Sequence, residues 1–290
     1  MEEEKQMSER KKITINTLRE MMEKGEQITM LTAYDYPLAL LEEKAGVEII
    51  LCGDSLGMTV YGYDTTLPVT LEMCLKHTAA VRRGAPTAYL VGDMPYMTYQ
   101  VSKEEAIRNA GRFMAETGCD CVKLEGGAEM AETINAMVKA TIPVFGHIGL
   151  TPQSLAQMGG FKAQGRDTAT AKKLIEDAKA LEEAGISLLL VEGVPPEVLE
   201  VITENAKVPV ISLGSGPKAH GQCLIVHDIL GFFDRFIPKF AKRYANVSEV
   251  IVKGVSEFVS EVKAGAFPTE EYLYKMKPGE AEKFKASLGR

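Results

Sequence analysis

The segment DTATAKKLIEDAKALEEAGISLLLVEG, residues 167–193, holds the repeating unit on which the architecture turns. Asp167 or Thr168 can begin a helix that stops at Gly185, and Leu188 to Val191 then form an apolar run of strand length. A run without polar alternation reads as a strand buried on both faces, as crossover helices on a parallel sheet require. The unit recurs in both directions. Similar runs stand at Ile28 to Tyr34, Ile49 to Cys52, Ala88 to Val91, Cys121 to Leu124, Ile142 to Phe145 and Val208 to Leu213. Between them, Asp35 can cap a helix ending at Gly46, and Ser102 with Glu105 spells a capping box for one ending at Gly118.

Strand and helix alternate, so the chain reads as α/β with a parallel sheet, and Gly221 to His227 as an eighth strand completes a (β/α)8 TIM barrel. Gly221 to Leu230 also reads as a helical turn, because the stretch from Ser215 to Cys223 is too short for a full helix. A doubly wound open sheet would call for a G-x-G-x-x-G turn after a strand, and none is present. The expected organisation is one domain over residues 1–290, with a barrel core at about 28–230. An N-terminal helix, Thr17 to Lys24, lies within 1–27, and a C-terminal helical extension, 231–290, carries a helix from Ser248 to Ala264. The connection from Gly149 to Arg166 is long and rich in Gly and Gln, a composition open to a lid or to a plain insertion.

Charge and composition narrow the partners. With 33 Lys+Arg against 40 Asp+Glu, the formal charge of −7 offers no broad basic surface, which excludes nucleic acid as the main partner. Apolar runs fall far short of the roughly 20 residues of a membrane span, and the charged start from Met1 to Lys12 has no secretory core, so a cytoplasmic protein is expected. Cys52, Cys74, Cys119, Cys121 and Cys223 are an odd set without zinc-ligand spacing and read as reduced structural thiols.

Polar groups recur where the apolar strands end: Gly53-Asp54-Ser55, Gly92-Asp93, Lys123-Leu124-Glu125, Gly146-His147 and Val191-Glu192. In a barrel these positions face one mouth, where catalytic groups gather from several strands. Lys123 and Glu125, two apart on one strand, share a face and point inward if Val122 and Leu124 point outward. A purely structural Lys–Glu pair is the alternative, although desolvation makes it a poor stabiliser. Asp54, Asp93 and Glu125 supply hard oxygen donors suited to magnesium rather than zinc; singly, Asp54 and Asp93 could instead be turn or cap residues. Glu192 closes a very apolar strand, an environment that raises a carboxylate's proton affinity as a general base for a carbon acid needs. Helix capping ahead of Pro195-Pro196 is its other reading. His147 either orients a ligand or is satisfied by backbone, and His77, His220 and His227 carry no assigned chemistry.

At these residues the chain resembles the 3-methyl-2-oxobutanoate (ketopantoate) hydroxymethyltransferase family. The resemblance runs from about residue 12 to 270 and is carried by Leu31-Thr32-Ala33-Tyr34-Asp35-Tyr36-Pro37, Gly53-Asp54-Ser55, Gly92-Asp93-Met94-Pro95, Lys123-Leu124-Glu125-Gly126-Gly127, Gly146 to Gln153 and Glu192-Gly193-Val194-Pro195. It implies a barrel of the phosphoenolpyruvate/pyruvate superfamily type and a homo-oligomer, commonly a decamer. It also implies that Asp54, Asp93 and Glu125 serve Mg2+, that Asp54, Ser55, Asp93 and Lys123 contact the 2-oxo acid, and that Glu192 accepts the proton. The implied reaction transfers a hydroxymethyl group from 5,10-methylenetetrahydrofolate to 3-methyl-2-oxobutanoate through a magnesium-stabilised enolate, giving 2-dehydropantoate for pantothenate synthesis. Where the family usually reads Gly-Ile-Gly-Ala-Gly, this chain has Ser212-Leu213-Gly214-Ser215-Gly216. A related metal-dependent lyase or mutase on a small 2-oxo acid, a Schiff-base aldolase using Lys123, and a non-catalytic barrel scaffold are the competing readings.

Overall fold

The structure, a computed structural model, describes residues 10–232 and 238–289. Residues 1–9 of the charged N-terminal stretch, and 233–237 and 290 of the C-terminal extension, lie outside the described residues. Eight strands form a closed parallel barrel in chain order: β1 (Ile28–Thr32), β2 (Ile49–Cys52), β3 (Tyr89–Asp93), β4 (Cys121–Glu125), β5 (Val144–Gly149), β6 (Leu188–Glu192), β7 (Val210–Leu213) and β8 (Gly221–Leu224).

Strand ends differ from the expected ones for local reasons. The first run stops at Thr32, not Tyr34, because Asp35 already caps the helix Tyr36–Ala45 by accepting the Leu38 N–H. β5 and β7 begin just after Pro143 and Pro209, which lack the N–H a strand interior uses but still offer their carbonyls to Val122 and Leu189. β3, β4 and β6 each run on to include the terminal carboxylate. The eighth strand is short, and residues 226–230 turn into a helix, so the expected strand to His227 is corrected to a strand followed by a helical turn. Gly221 permits that strand to close the barrel, since a Cβ there would lie 2.4 Å from the Ile28 carbonyl oxygen.

Capping assigns the helix starts. Asp167, rather than Thr168, caps Thr168–Ala184 by accepting the Ala169 and Thr170 N–H groups, and Gly185 ends that helix in the left-handed region. Ser102 Oγ accepts the Glu105 N–H; among the described residues only this half of the expected box forms. The helix it starts, Lys103–Arg112, passes into a π-helical turn, Phe113–Thr117, that ends at Gly118.

Inward-facing Ile28, Met30, Ile49, Leu51, Tyr89, Val91, Cys121, Phe145, Leu188, Leu190 and Ile211 fill the barrel. Leu18, from the N-terminal helix Ile15–Lys24, joins them fully buried at the end where the strands begin. Apolar packing therefore occupies the bottom and middle of the barrel, which leaves polar chemistry to the top. All five cysteines are free and buried. Among the described residues no helix is long and apolar enough to cross a membrane. The chain forms two compact units, Met1–Ile229 with Phe233–Lys242, which contains the barrel, and Leu230–Phe232 with Arg243–Arg290. The helix of the second unit, Val247–Ala264, has no buried residue and exposes Val250, Val255, Phe258 and Val262.

One buried group opposes folding. Glu42 is 4% exposed, and neither of its carboxylate oxygens finds a hydrogen-bond partner among the described residues. Burial, aided by Asp35, pushes its pKa up to about 9 from an ordinary 4.5. The folded state therefore binds more protons than the unfolded state across that interval, and this group lowers stability progressively as pH rises through it. Glu42→Leu is expected to stabilise the protein by about 1–3 kcal/mol at pH 8, with a smaller gain at pH 5. Urea denaturation at the two pH values checks both the size and the sign.

Candidate active site

Strand periodicity aims a ring of polar side chains into the mouth. Asp93 follows Tyr89 and Val91 on the inner face of β3, Lys123 and Glu125 follow Cys121 on β4, His147 follows Phe145 on β5, and Glu192 follows Leu188 and Leu190 on β6. Strand register brings neighbours together, pairing Asp93 with Lys123, Glu125 with His147 and Gly149 with Glu192. Gly149, at φ +95°, is needed where it stands because a Cβ would lie 2.1 Å from the Glu192 carbonyl oxygen.

The geometry unites the predicted residues. Lys123 Nζ lies 2.8 Å from Asp93 Oδ1, 3.6 Å from Glu125 Oε1 and 3.5 Å from His147 Nδ1. The imidazole of His147 lies between two carboxylates, with Nδ1 3.5 Å from Glu125 Oε1 and Nε2 3.2 Å from Glu192 Oε2. Asp54, beyond β2, donates its backbone N–H to Asp93 Oδ2 at 2.8 Å and accepts the Gln153 side-chain amide at 2.9 Å. Ser55 Oγ stands 2.8 Å from Tyr34 Oη and makes no cap bond to the helix behind it. Neither aspartate caps a helix. Glu192 likewise turns to His147.

Electrostatics follow from burial and charge sign. Four carboxylates share the mouth with one lysine and one histidine, and all six residues are at most 9% exposed. Burial, then Asp93 and Glu125, pushes the Asp54 carboxyl well above the usual range, and burial also raises Asp93 against the pull of Lys123. For Glu125 burial is outweighed by Lys123, His147 and the Gln153 N–H, which hold it below the usual range. Burial works against a charged Lys123, but Asp93, Glu125 and Asp54 hold its proton firmly. Burial and Lys123 also oppose protonation of His147, yet Glu125 and Glu192 raise it to about 9. Burial raises Glu192, with His147 opposing. Carboxyls thus outnumber cationic side chains in the pocket, and burial pushes three of the four toward the protonated form, a condition that a bound cation relieves.

Its charged oxygen donors are hard carboxylates, which fits magnesium, and magnesium ordinarily takes only one or two carboxylates and completes its shell from water and substrate. Among the described residues no group of three or more His, Cys, Asp or Glu side chains, the Asp54, Asp93 and Glu125 set included, is arranged as a ready-made metal cage.

Two functional-looking residues escape charge-based reading. Gln153, 5% exposed, gives its side-chain N–H groups to Asp54 Oδ2 and the Met94 carbonyl and its backbone N–H to Glu125 Oε2. Tyr99 Oη donates to Gln153 Oε1 at 2.7 Å and accepts the Glu125 N–H. The serines at 212 and 215 brace the neighbouring strand: Ser215 Oγ donates to the Val191 carbonyl and accepts the Val194 N–H, either side of Glu192, while Ser212 Oγ accepts the Ser215 N–H. His77 and His220 bind backbone, His77 at the Tyr34 carbonyl and His220 by accepting the Val210 N–H.

A closed parallel barrel with buried carboxylates, a lysine and a histidine converging at its strand ends defines a (β/α)8-barrel enzyme. Solved structures with this fold include phosphonopyruvate hydrolase in complex with oxalate and Mg++, at TM-score 0.58 and 16% identity over 96% of this chain and 99% of that one. A 2,3-dimethylmalate lyase, described as a PEP mutase/isocitrate lyase superfamily member, matches at TM-score 0.58 and 16% identity over 95% and 99%. More narrowly, the chain belongs to the ketopantoate hydroxymethyltransferase family, whose model matches residues 12–270. Among its relatives, the 3-methyl-2-oxobutanoate hydroxymethyltransferase of Alkaliphilus metalliredigens is 54% identical over 91% of this chain and 93% of its own length. That of Carboxydothermus hydrogenoformans is 51% identical over 92% and 97%.

Proposed function

We propose that this enzyme transfers a hydroxymethyl group from 5,10-methylenetetrahydrofolate to 3-methyl-2-oxobutanoate, with water supplying the hydroxyl, and releases 2-dehydropantoate and tetrahydrofolate in pantothenate synthesis. Family membership names the reaction; the observation that carries it at the site is the meeting of Asp54, Asp93, Glu125 and Lys123 at one mouth with Glu192 beside them.

Asp54, Asp93 and Glu125 would hold magnesium, and Asp54, Ser55, Asp93 and Lys123 would contact the 2-oxo acid. When bound, magnesium would withdraw electron density from the 2-oxo acid and acidify the C3 proton. Glu192 takes that proton, aided by an apolar strand that raises its basicity. His147, held protonated between Glu125 and Glu192, fixes the orientation of the base. Lys123 stays cationic and stabilises the charge that develops as the proton leaves. A lysine so firmly protonated beside Asp93 is a poor Schiff-base nucleophile, which favours this reading over the aldolase one.

Incubation of the purified protein with both substrates tests the proposal: 2-dehydropantoate should form with the folate donor and not without it. Cleavage or rearrangement of the 2-oxo acid in the absence of folate would support a lyase or mutase instead. Asp54→Ala and Asp93→Ala should each lose magnesium-dependent turnover while circular dichroism keeps the wild-type spectrum, because both side chains sit above the apolar packing. Full turnover in either variant after chelation would contradict their role.

We also propose a homo-oligomer. Every residue of β2 to β7 is buried, whereas the adjacent outward residues Thr29 and Gln222 of β1 and β8 are exposed, and their neighbours Leu31 and Leu224 are half-buried. An uncovered barrel wall is a natural surface for association. The reduced, buried thiols are consistent with work in the cytoplasm.

A further inference from the structure

We propose that Gln153 is a positioning residue that couples the 149–166 segment to the carboxylate cluster, so that the order of that segment and the setting of Asp54 depend on each other. The proposal rests on the reading of Asp54 as part of the cation- and substrate-holding set.

Gln153 stands in a 3-10 turn, Pro152–Ser154, just beyond β5, yet its bonds reach three other strand-to-helix connections. Its Nε2 donates to Asp54 Oδ2 at 2.9 Å, beyond β2, and to the Met94 carbonyl at 3.0 Å, beyond β3. Its Oε1 accepts from Tyr99 Oη at 2.7 Å and from Gln100 Nε2 at 3.3 Å. Its backbone N–H donates to Glu125 Oε2 at 2.9 Å, at the end of β4. Both amide protons and both oxygen lone pairs are thus engaged, which is the full capacity of the group.

That pattern fixes the amide in one orientation. A flip would turn Oε1 toward the Asp54 carboxylate and the Met94 carbonyl, two acceptors, and leave both unsatisfied in a buried site. Tyr99 supports the choice: its hydroxyl accepts the Glu125 N–H, and of the two acceptors in reach of its proton, Gln153 Oε1 at 2.7 Å lies closer than the Glu125 carbonyl at 3.2 Å. Asp54 therefore receives a donor whose direction is set from β3 and β4.

The same residue tethers the segment. Residues 149–151 and Gln153 are buried and anchored by Gln153 and by the Leu150 N–H on the Glu192 carbonyl, and the far end is held by the Gln164 N–H on the Gly193 carbonyl. Between the anchors, residues 156–157 and 161–163 are exposed, Lys162 among them. Losing the Gln153 contacts frees one anchor and at once removes a donor from Asp54. Coupling of this kind is reciprocal, so ligands that fix Asp54 must also protect the segment.

Trypsin cleavage after Lys162 in the full-length protein reads the segment, and calorimetry with magnesium chloride reads Asp54. Gln153→Met keeps the side-chain bulk and removes all the amide contacts, whereas Tyr99→Phe removes only the orienting hydroxyl. Cleavage of ligand-free Gln153→Met is expected to be about tenfold faster than wild type, and its magnesium affinity about tenfold weaker, the equivalent of one charge-assisted hydrogen bond. Magnesium with 3-methyl-2-oxobutanoate should slow cleavage of wild type but not of Gln153→Met, and Tyr99→Phe should fall between them in both readouts. A merely structural glutamine would leave magnesium affinity alone. Wild-type magnesium affinity in Gln153→Met, or equal ligand protection of the two proteins, would overturn the coupling. Failure of wild type to bind magnesium, with Gln153→Met still cleaved faster, would instead defeat the cation reading and leave the tether supported. If Gln153→Met does not fold, unchanged values of both readouts in Tyr99→Phe overturn the proposal.

Discussion

Glu192→Gln is expected to lose exchange of the C3 proton of 3-methyl-2-oxobutanoate with solvent, by about 10²–10⁴-fold, the usual contribution of a positioned general base. Binding of magnesium and of the 2-oxo acid should survive. The substituted amide keeps the shape of the carboxylate and can still meet His147 Nε2, which lies 3.2 Å from Glu192 Oε2 in the native site. What it cannot do is accept a proton from carbon. Proton NMR in D2O, with magnesium present and folate omitted, isolates this step from transfer of the one-carbon unit. Exchange at the wild-type rate would remove Glu192 from the role of base.

Lys123→Met is expected to cost about 3–5 kcal/mol of stability as well as activity, the penalty for leaving buried charges uncompensated. Its ammonium is the counterion of Asp93 at 2.8 Å and of Glu125 at 3.6 Å, and both carboxylates are at most 4% exposed. The pH dependence should change sign at Glu125. In wild type this carboxyl is held below its ordinary 4.5, so its stabilising contribution is present above that value and fades as acid protonates it. Without the lysine, burial would dominate and raise the same carboxyl, so stability would fall as pH rises above 4.5. Urea midpoints at pH 5 and pH 8 measure this. Equal loss at both values would mean that packing rather than charge explains the effect.

Charged residues ending apolar strands were legible because a strand places every second residue on one face. Lys123 and Glu125, two apart on β4, had to share the interior, and Asp93 and Glu192 close strands whose other inward residues are apolar. Asp54 was visible only as one of a set, since it lies beyond β2 and its place depends on bonds to Asp93 and Gln153. Gln153 and Tyr99 carried no such mark. They are neutral, 54 residues apart, and meaningful only once β3, β4 and β5 lie side by side. The end of β8 stays open in sequence between a strand and a helical turn, because what stops the strand is the bond from the Val226 N–H to Thr32 Oγ1 across the barrel seam, where residues 226–230 turn into a helix. Ser212 and Ser215 depart from the family's usual small residues, and the Ser215 hydroxyl binds backbone on both sides of Glu192 while the Ser212 hydroxyl accepts the Ser215 N–H.

In the proposed site, carboxylates from separate strands would hold one divalent ion together with the 2-oxo acid. Electron paramagnetic resonance with Mn2+, a hard-oxygen substitute for magnesium, tests it directly when 17O-labelled 3-methyl-2-oxobutanoate is added. One tightly held ion is expected in wild type, with line broadening from the labelled substrate and loss of the bound ion in the Asp54→Ala, Asp93→Ala double variant. An unbroadened spectrum with substrate bound, or an ion held equally well by the double variant, would contradict that arrangement.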